Sequence, residues 1–171
     1  MMGYMGESQS EILRPVSGLF IFTSVLCALL LNALPWSGLW LTLHPDFVAI
    51  VLLYWCMHRP LSVGVGMAWT VGVLTDVIDA SLFGQHALAY SVLAFGGVVL
   101  SHRLRMFELR KQTLQVLGIL LLTYGMYALV HWQVNGIVEW NYFWGCLTST
   151  LLWMPISVLF QSMRQMRVDR E

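Results

Sequence analysis

The sequence predicts an all-α integral membrane protein, a six-helix transmembrane bundle with both termini on the inner side (N-in/C-in). Three observations lead there. Six apolar runs punctuate the chain, at about 16–34, 46–58, 61–79, 86–101, 114–134 and 142–160. Threading them alternately from an inner N-terminus puts all nine Lys and Arg residues on one side. Basic residues near span ends resist translocation, so this bias sets the orientation. The composition, 58% hydrophobic and only 11% charged, is far from that of a soluble domain. Residues 1–13 then read as a flexible cytoplasmic N-terminus, 14–160 as the membrane domain and 161–171 as a basic cytoplasmic tail. Net charge is zero, but it divides unevenly. Asp46, Asp76, Asp79 and Glu139 fall outside with no basic residue, while the inner side is basic.

The first span is too continuous for a signal peptide, and Leu31-Asn32-Ala33-Leu34 is a poor cleavage site. It is expected to remain as a helix. The following outer loop carries Trp36 and Trp40, which belong at the headgroup level, as do Trp140 and Tyr142 in the last outer loop. In the second span only Phe47 to Met57 is strongly apolar, about 16 Å of helix where a perpendicular crossing needs about 30 Å. Such a run could be re-entrant. Arg59 argues for crossing, because a half-dipped segment would leave it in hydrocarbon. The expectation is a short helix shielded by its neighbours, with Arg59 snorkelling inward.

The third span has the most specific pattern. Gly64, Ala68, Gly72, Asp76 and Ala80 recur every four residues and so form one stripe, bare enough for close helix approach. A carboxyl group at mid-span costs ~2.5–3.5 kcal/mol. Asp76 must therefore reach water or accept hydrogen bonds from a buried partner. Asp79 to Gly84 reads as a helix end, with Gly84 suited to a left-handed stop.

Between the fourth and fifth spans, residues 101–113 hold Arg103, Arg105, Arg110 and Lys111, a pattern compatible with a short amphipathic surface helix. With Arg59 these form a basic cytoplasmic face. That face satisfies the insertion rule and also suits an anionic leaflet or an acidic partner. Arg164, Arg167 and Arg170 recur every third residue and suit a helical extension of the last span, within which Pro155 is expected to introduce a kink. Neither basic stretch interleaves aromatic residues in the manner of a nucleic-acid binder. Cys27, Cys56 and Cys146 are odd in number and lack CxxC spacing, which argues against disulfides or zinc and for packing as small hydrophobes.

Three readings of the aspartates stay open. Asp76 could hydrogen-bond across the small-residue seam while Asp79 and Ser81 close the loop. Asp46, Asp76 and Asp79 could instead shape an outward pocket for a partner segment. A catalytic role is the third, but its companions are missing. Asp76 lacks the Gly-x-Gly-Asp context of intramembrane aspartyl proteases. Asp76-Val77-Ile78-Asp79-Ala80 lacks the Ala-Arg and second Asp pair of CDP-alcohol phosphotransferases. No nucleophile–base set or phosphate loop is discernible. His44, His58, His86, His102 and His131 show no metal-ligand spacing, although His44 and His86 belong with Asp46 and Asp76 at the outer face, where they could make a pH-sensitive site. No cofactor and no metal is expected.

His44-Pro45-Asp46-Phe47, Tyr54-Trp55, Arg59-Pro60, Val63-Gly64-Val65-Gly66, Gly72-Val73-Leu74-Thr75-Asp76-Val77 and Gly84 together resemble MreD, the rod shape-determining membrane protein family. Leu34-Pro35-Trp36 and Leu152-Trp153-Met154-Pro155 extend the likeness over nearly the whole chain. The resemblance implies a non-enzymatic scaffold in the bacterial inner membrane, acting in the elongation complex that builds sidewall peptidoglycan. Its implied partners are MreC, MreB (directly or through MreC), RodA with its class B penicillin-binding transpeptidase, and membrane lipids, with no nucleic acid. It also implies a bundle similar to the substrate-binding components of vitamin transporters, with Gly64, Ala68, Gly72 and Gly84 framing an outward pocket around Asp46, Asp76 and Asp79. A small-molecule-binding or transport subunit is the alternative that this likeness allows. One departure stands at Ala80, where many relatives carry Gly, so the sequence gives no reason to expect a positive backbone angle there.

Overall fold

The shortest helix is the central one. In the computed structural model, which describes residues 18–38, 43–106, 109–136 and 141–168, six helices run in order with no strand among the described residues. They are α1 Gly18–Asn32, α2 Phe47–His58, α3 Val65–Ile78, α4 Gln85–Met106, α5 Leu109–Asn135 and α6 Asn141–Val168. The expectations for the N-terminus, Trp40, Glu139, Trp140 and Arg170 lie outside the described residues. Within 102–106, 109–110, 135, 141–142 and 164–168 only the backbone is described.

Helix α2 has 12 residues, and every one from Val48 to Met57 is buried. Helices α1, α4 and α6 pack around it. An apolar run without periodicity has no face to offer water, so it becomes the core that its neighbours cover. Asp46 starts the helix by accepting the Ala49 N–H at 2.9 Å. Arg59 leaves it at φ −140°, ahead of Pro60, which lacks the N–H that a continuing helix would use.

The third helix begins at Val65 rather than at residue 61. Residues 59–63 instead form a turn, in which the N–H groups of Ser62 and Val63 donate to the Arg59 carbonyl at 3.0 and 2.9 Å. The small-residue stripe then meets α4. Ala68 and Gly72 are buried, and a Cβ on Gly72 would lie 2.5 Å from Ala87 Cα. Backbone therefore touches backbone there, which only a glycine permits. Gly97 plays the corresponding part between α4 and α2, where a Cβ would stand 2.9 Å from Leu53 Cδ1 and 3.1 Å from Cys56 Cβ.

The end of α3 corrects the expectation for residue 80. Asp79 caps the helix by donating its N–H to Thr75 at 2.9 Å, and Ala80 follows at φ +46°. The left-handed stop after α3 is thus an alanine. Gly84, at φ +97°, instead serves the entrance to α4.

The separate surface helix expected within 101–113 is not formed. Helix α4 continues to Met106 and α5 begins at Leu109, which places Arg103 and Arg105 in the last turns of α4, and Arg110 and Lys111 in the first turn of α5. From Val98 to Leu117 the sequence has no Gly or Pro to stop either helix. Helix α6 contains Pro155 and, with no Gly or Pro after it, runs on into the expected tail as far as Val168. Cys56 and Cys146 are buried, whereas Cys27 is exposed rather than packed. Helices α5 and α6 each contain a stretch, Lys111–Val134 and Phe143–Met163, long and apolar enough to cross a membrane.

Two substitutions separate these backbone effects by sign. Gly72→Ala should destabilise the fold by about 2 kcal/mol, because the added methyl group forces α3 and α4 apart. Ala80→Gly should stabilise it by about 1 kcal/mol by relieving the left-handed alanine. Thermal unfolding of both variants in detergent checks the pair. A Gly72→Ala midpoint equal to wild type would refute the close contact.

Candidate functional site

Two carboxyl groups lie buried at the end of the molecule where α2 and α4 begin. Asp46 is the first. Its Oδ1 accepts from Asn32 Nδ2 (3.1 Å), the Ala49 N–H (2.9 Å) and the Tyr90 hydroxyl (3.0 Å). Its Oδ2 accepts from the hydroxyls of Tyr127 (2.8 Å) and Tyr90 (3.0 Å). The backbone N–H of the same residue donates to Ser149 Oγ at 3.0 Å and to the Tyr124 hydroxyl at 3.3 Å, and those two oxygens lie 2.9 Å apart. Asn32 completes the joint by accepting the Phe47 N–H at 3.1 Å. One residue thereby binds α1, α4, α5 and α6 to the first turn of α2.

Asp76 is the second, 2% exposed. It reaches from α3 to the start of α4, accepting the N–H groups of Gly84 (2.8 Å), His86 (2.9 Å) and, more weakly, Ala87 (3.5 Å). Ser81 Oγ at 3.0 Å and His86 Nδ1 at 2.8 Å complete its shell. A carboxyl at a helix N-terminus satisfies N–H groups that have no partner within the helix. That answers the requirement read from the sequence. Asp76 is supplied with donors from within the fold.

The two shells meet through aromatic rings. The His86 imidazole lies 4.9 Å from the Tyr127 ring and 5.7 Å from that of Tyr90. Asp79 is exposed in the turn beyond α3, within electrostatic range of His86, Asp46, His44 and Asp76. His44 packs beside Trp36 and Phe47 in tilted and edge contacts, with ring centroids at 5.0 and 5.8 Å. Burial holds its imidazole below the ordinary pKa, against the opposing pull of Asp46 and Asp79.

The sequence-derived residues therefore divide. Asp46, Asp76 and Asp79 gather at one end, together with Gly84. Gly72 and Ala68 serve the α3–α4 contact, and Gly64 precedes α3. Arg59 lies at the other end of α2, and Lys111 is exposed in the first turn of α5. Asn32, Tyr90, Tyr124, Tyr127 and Ser149 were not singled out from the sequence as site residues. The signal available was a hydroxyl or amide inside an otherwise apolar run, which always demands a partner.

Ser81, His86 and Asp76 do come together, but not as a catalytic triad. Ser81 Oγ lies 3.3 Å from Nδ1, on the same edge of the ring that Asp76 occupies. A triad needs the nucleophile on the opposite nitrogen. Among the described residues no group of three or more His, Cys, Asp or Glu side chains is placed to hold a metal ion.

The family model for rod shape-determining protein MreD matches residues 14–163. The chain belongs to the MreD family. It is 28% identical over 149 residues to a rod shape-determining protein MreD of Haemophilus influenzae, covering 85% of this chain and 90% of that relative. No solved structure matches it. MreD proteins are membrane-associated and act in rod shape determination, and the matched segment contains both carboxyl shells and the α3–α4 seam.

Within this member of the MreD family the Asp46 shell should prove the stiffest polar element. Tyr127→Phe removes one donor to a carboxyl and should cost about 1.5 kcal/mol. Asp46→Asn should cost more, about 3 kcal/mol, because its amide turns an N–H2 donor toward a tyrosine hydroxyl or a backbone N–H. Thermal unfolding of the purified variants measures both. An Asp46→Asn protein as stable as wild type would show that the shell carries no such weight.

Proposed function

We propose that this protein is a multi-pass, non-enzymatic scaffold of the bacterial inner membrane that binds MreC and supports sidewall peptidoglycan synthesis by the elongation complex. The observation that carries the reading is the direction in which the chemistry points. Asp46 and Asp76 engage their oxygens inside the fold, while large apolar side chains face outward. Leu19 on α1, Phe95 on α4, Leu122 on α5 and Leu151 on α6 are all at least 64% exposed. A soluble domain rarely exposes so many large apolar side chains, and lipid is their natural solvent.

In this reading all six helices cross. The end of the molecule holding Asp46 and Asp76 faces outward, and the end holding Arg59, Arg103, Arg105, Arg110 and Lys111 faces the cytoplasm, as the positive-inside rule requires. A protein with short loops and no open catalytic set acts through helix faces. The outer end would hold MreC near the membrane surface. The basic inner end would lie toward MreB, and the lateral faces toward RodA and its class B transpeptidase. A small-molecule carrier would need free acceptors in its pocket, and the two buried carboxyl groups have none to spare.

Depletion from the native rod-shaped host should give rounded, widened cells, and wild-type re-expression should restore rods. Gly72→Leu, expressed at wild-type level, should fail to restore shape or to co-purify with MreC. Unchanged rods on depletion, with no second copy in the genome, would sink the scaffold role.

A further inference from the structure

At the Asp46 end, one acceptor is held in place and left open. The His86 ring is fixed on two sides. Its Nδ1 lies 2.8 Å from Asp76 Oδ1, and the ring is held between a tilted contact with Tyr127 (4.9 Å) and an edge contact with Tyr90 (5.7 Å). Donation to a carboxyl oxygen assigns the proton to Nδ1, so in the neutral imidazole Nε2 is an acceptor. Nε2 has no hydrogen-bond partner among the described residues, and the side chain remains 17% exposed, whereas the Asp76 side chain is fully sealed. Asp79, exposed in the turn one step away, has no side-chain hydrogen bond among the described residues and lies within electrostatic range of His86. No Lys or Arg occurs between residues 60 and 102 or between 112 and 163 to meet these acceptors from within.

The surroundings define the occupant. Val77 and Ile78 end α3, Phe83 precedes α4, and Leu88 lies in its first turns; all four are exposed and apolar. A ligand here meets hydrocarbon-compatible surface on its flank and, at its head, the open Nε2 of His86 with the Asp79 charge in electrostatic range. We propose that His86 Nε2 and the Asp79 carboxylate bind the primary ammonium of an aminophospholipid headgroup, whose acyl chains lie along the Val77–Leu88 rim. A primary ammonium carries three N–H donors and can reach both acceptors, whereas a quaternary choline carries none. Asp76 acts behind His86 as a positioning residue, in the way that a buried carboxyl orients an imidazole ligand. The inference rests on the membrane reading above, with this end in the outer headgroup layer.

The test reconstitutes the full chain into bilayers of phosphatidylethanolamine and phosphatidylcholine, equimolar and with matched acyl chains. Co-purifying lipid is then measured by mass spectrometry. Wild type should retain the ethanolamine lipid about fivefold over the choline lipid, the selectivity expected of roughly one charge-assisted hydrogen bond. His86→Asn keeps a short donor for Asp76 but deletes the Nε2 acceptor, and Asp79→Asn removes the exposed charge. Each should abolish the preference. Asp79 lies in an exposed turn, so its variant decides the matter if His86→Asn fails to fold. Equal retention of the two lipids by wild type, or a preference that survives in a folded His86→Asn or Asp79→Asn protein, overturns the site. Failure of the chain to enter bilayers would overturn the membrane reading together with the site, whereas entry without lipid preference overturns the site alone.

Discussion

Everything in this fold hangs from the carboxyl group of Asp46. A helix buried from Val48 to Met57 has little access to water in its first turn, so the N–H groups there must be satisfied from within. Asp46 does this for α2 and then uses its remaining acceptor capacity on Asn32, Tyr90 and Tyr127, while its own N–H engages Tyr124 and Ser149. The short central helix and the converging polar side chains are therefore one arrangement. Remove the acceptor, and donors from three other helices lose the group on which they converge.

Asp76 repeats the device on a smaller scale. It joins the end of α3 to the beginning of α4, next to the point where Gly72 lets the two backbones touch. Both carboxyl groups thus serve as acceptors in the architecture, and the small residues between them set the distances. The geometry suits a rigid body that presents faces to partners. The oxygens of Asp46 and Asp76 are taken up by donors within the fold. His86 is the exception, held by Asp76 on one edge and open on the other.

Much of this was legible in the residues. The uniform apolarity of Phe47–Met57 between Pro45 and Arg59-Pro60 pointed to a short shielded helix, and burial of Val48 to Met57 is what such a pattern requires. The four-residue recurrence from Gly64 to Asp76 marked the seam along which α3 meets α4. The charged stretch at 101–113 was misread as a separate element because charge was weighed above the absence of helix breakers, and propensity prevailed. Ala80 was missed for the opposite reason. Its left-handed angle is imposed by the hydrogen bonds of Asp79 to Thr75 and of Ser81 to Asp76, not by its own preference.

By itself the sequence determined six helices in order, the short helix ahead of Arg59-Pro60, the seam on α3, and membership of a shape-determining family. These follow from local rules, in which periodicity, capping chemistry and glycine conformation act within a few residues. Only the tertiary structure decided that Asn32, Tyr90, Tyr124, Tyr127 and Ser149 converge on one carboxyl group. Ser149 lies 103 residues from Asp46 along the chain. A hydroxyl in an apolar helix announces that it needs a partner, but the rotation and height of each helix, set by side-chain packing around α2, select which partner it meets.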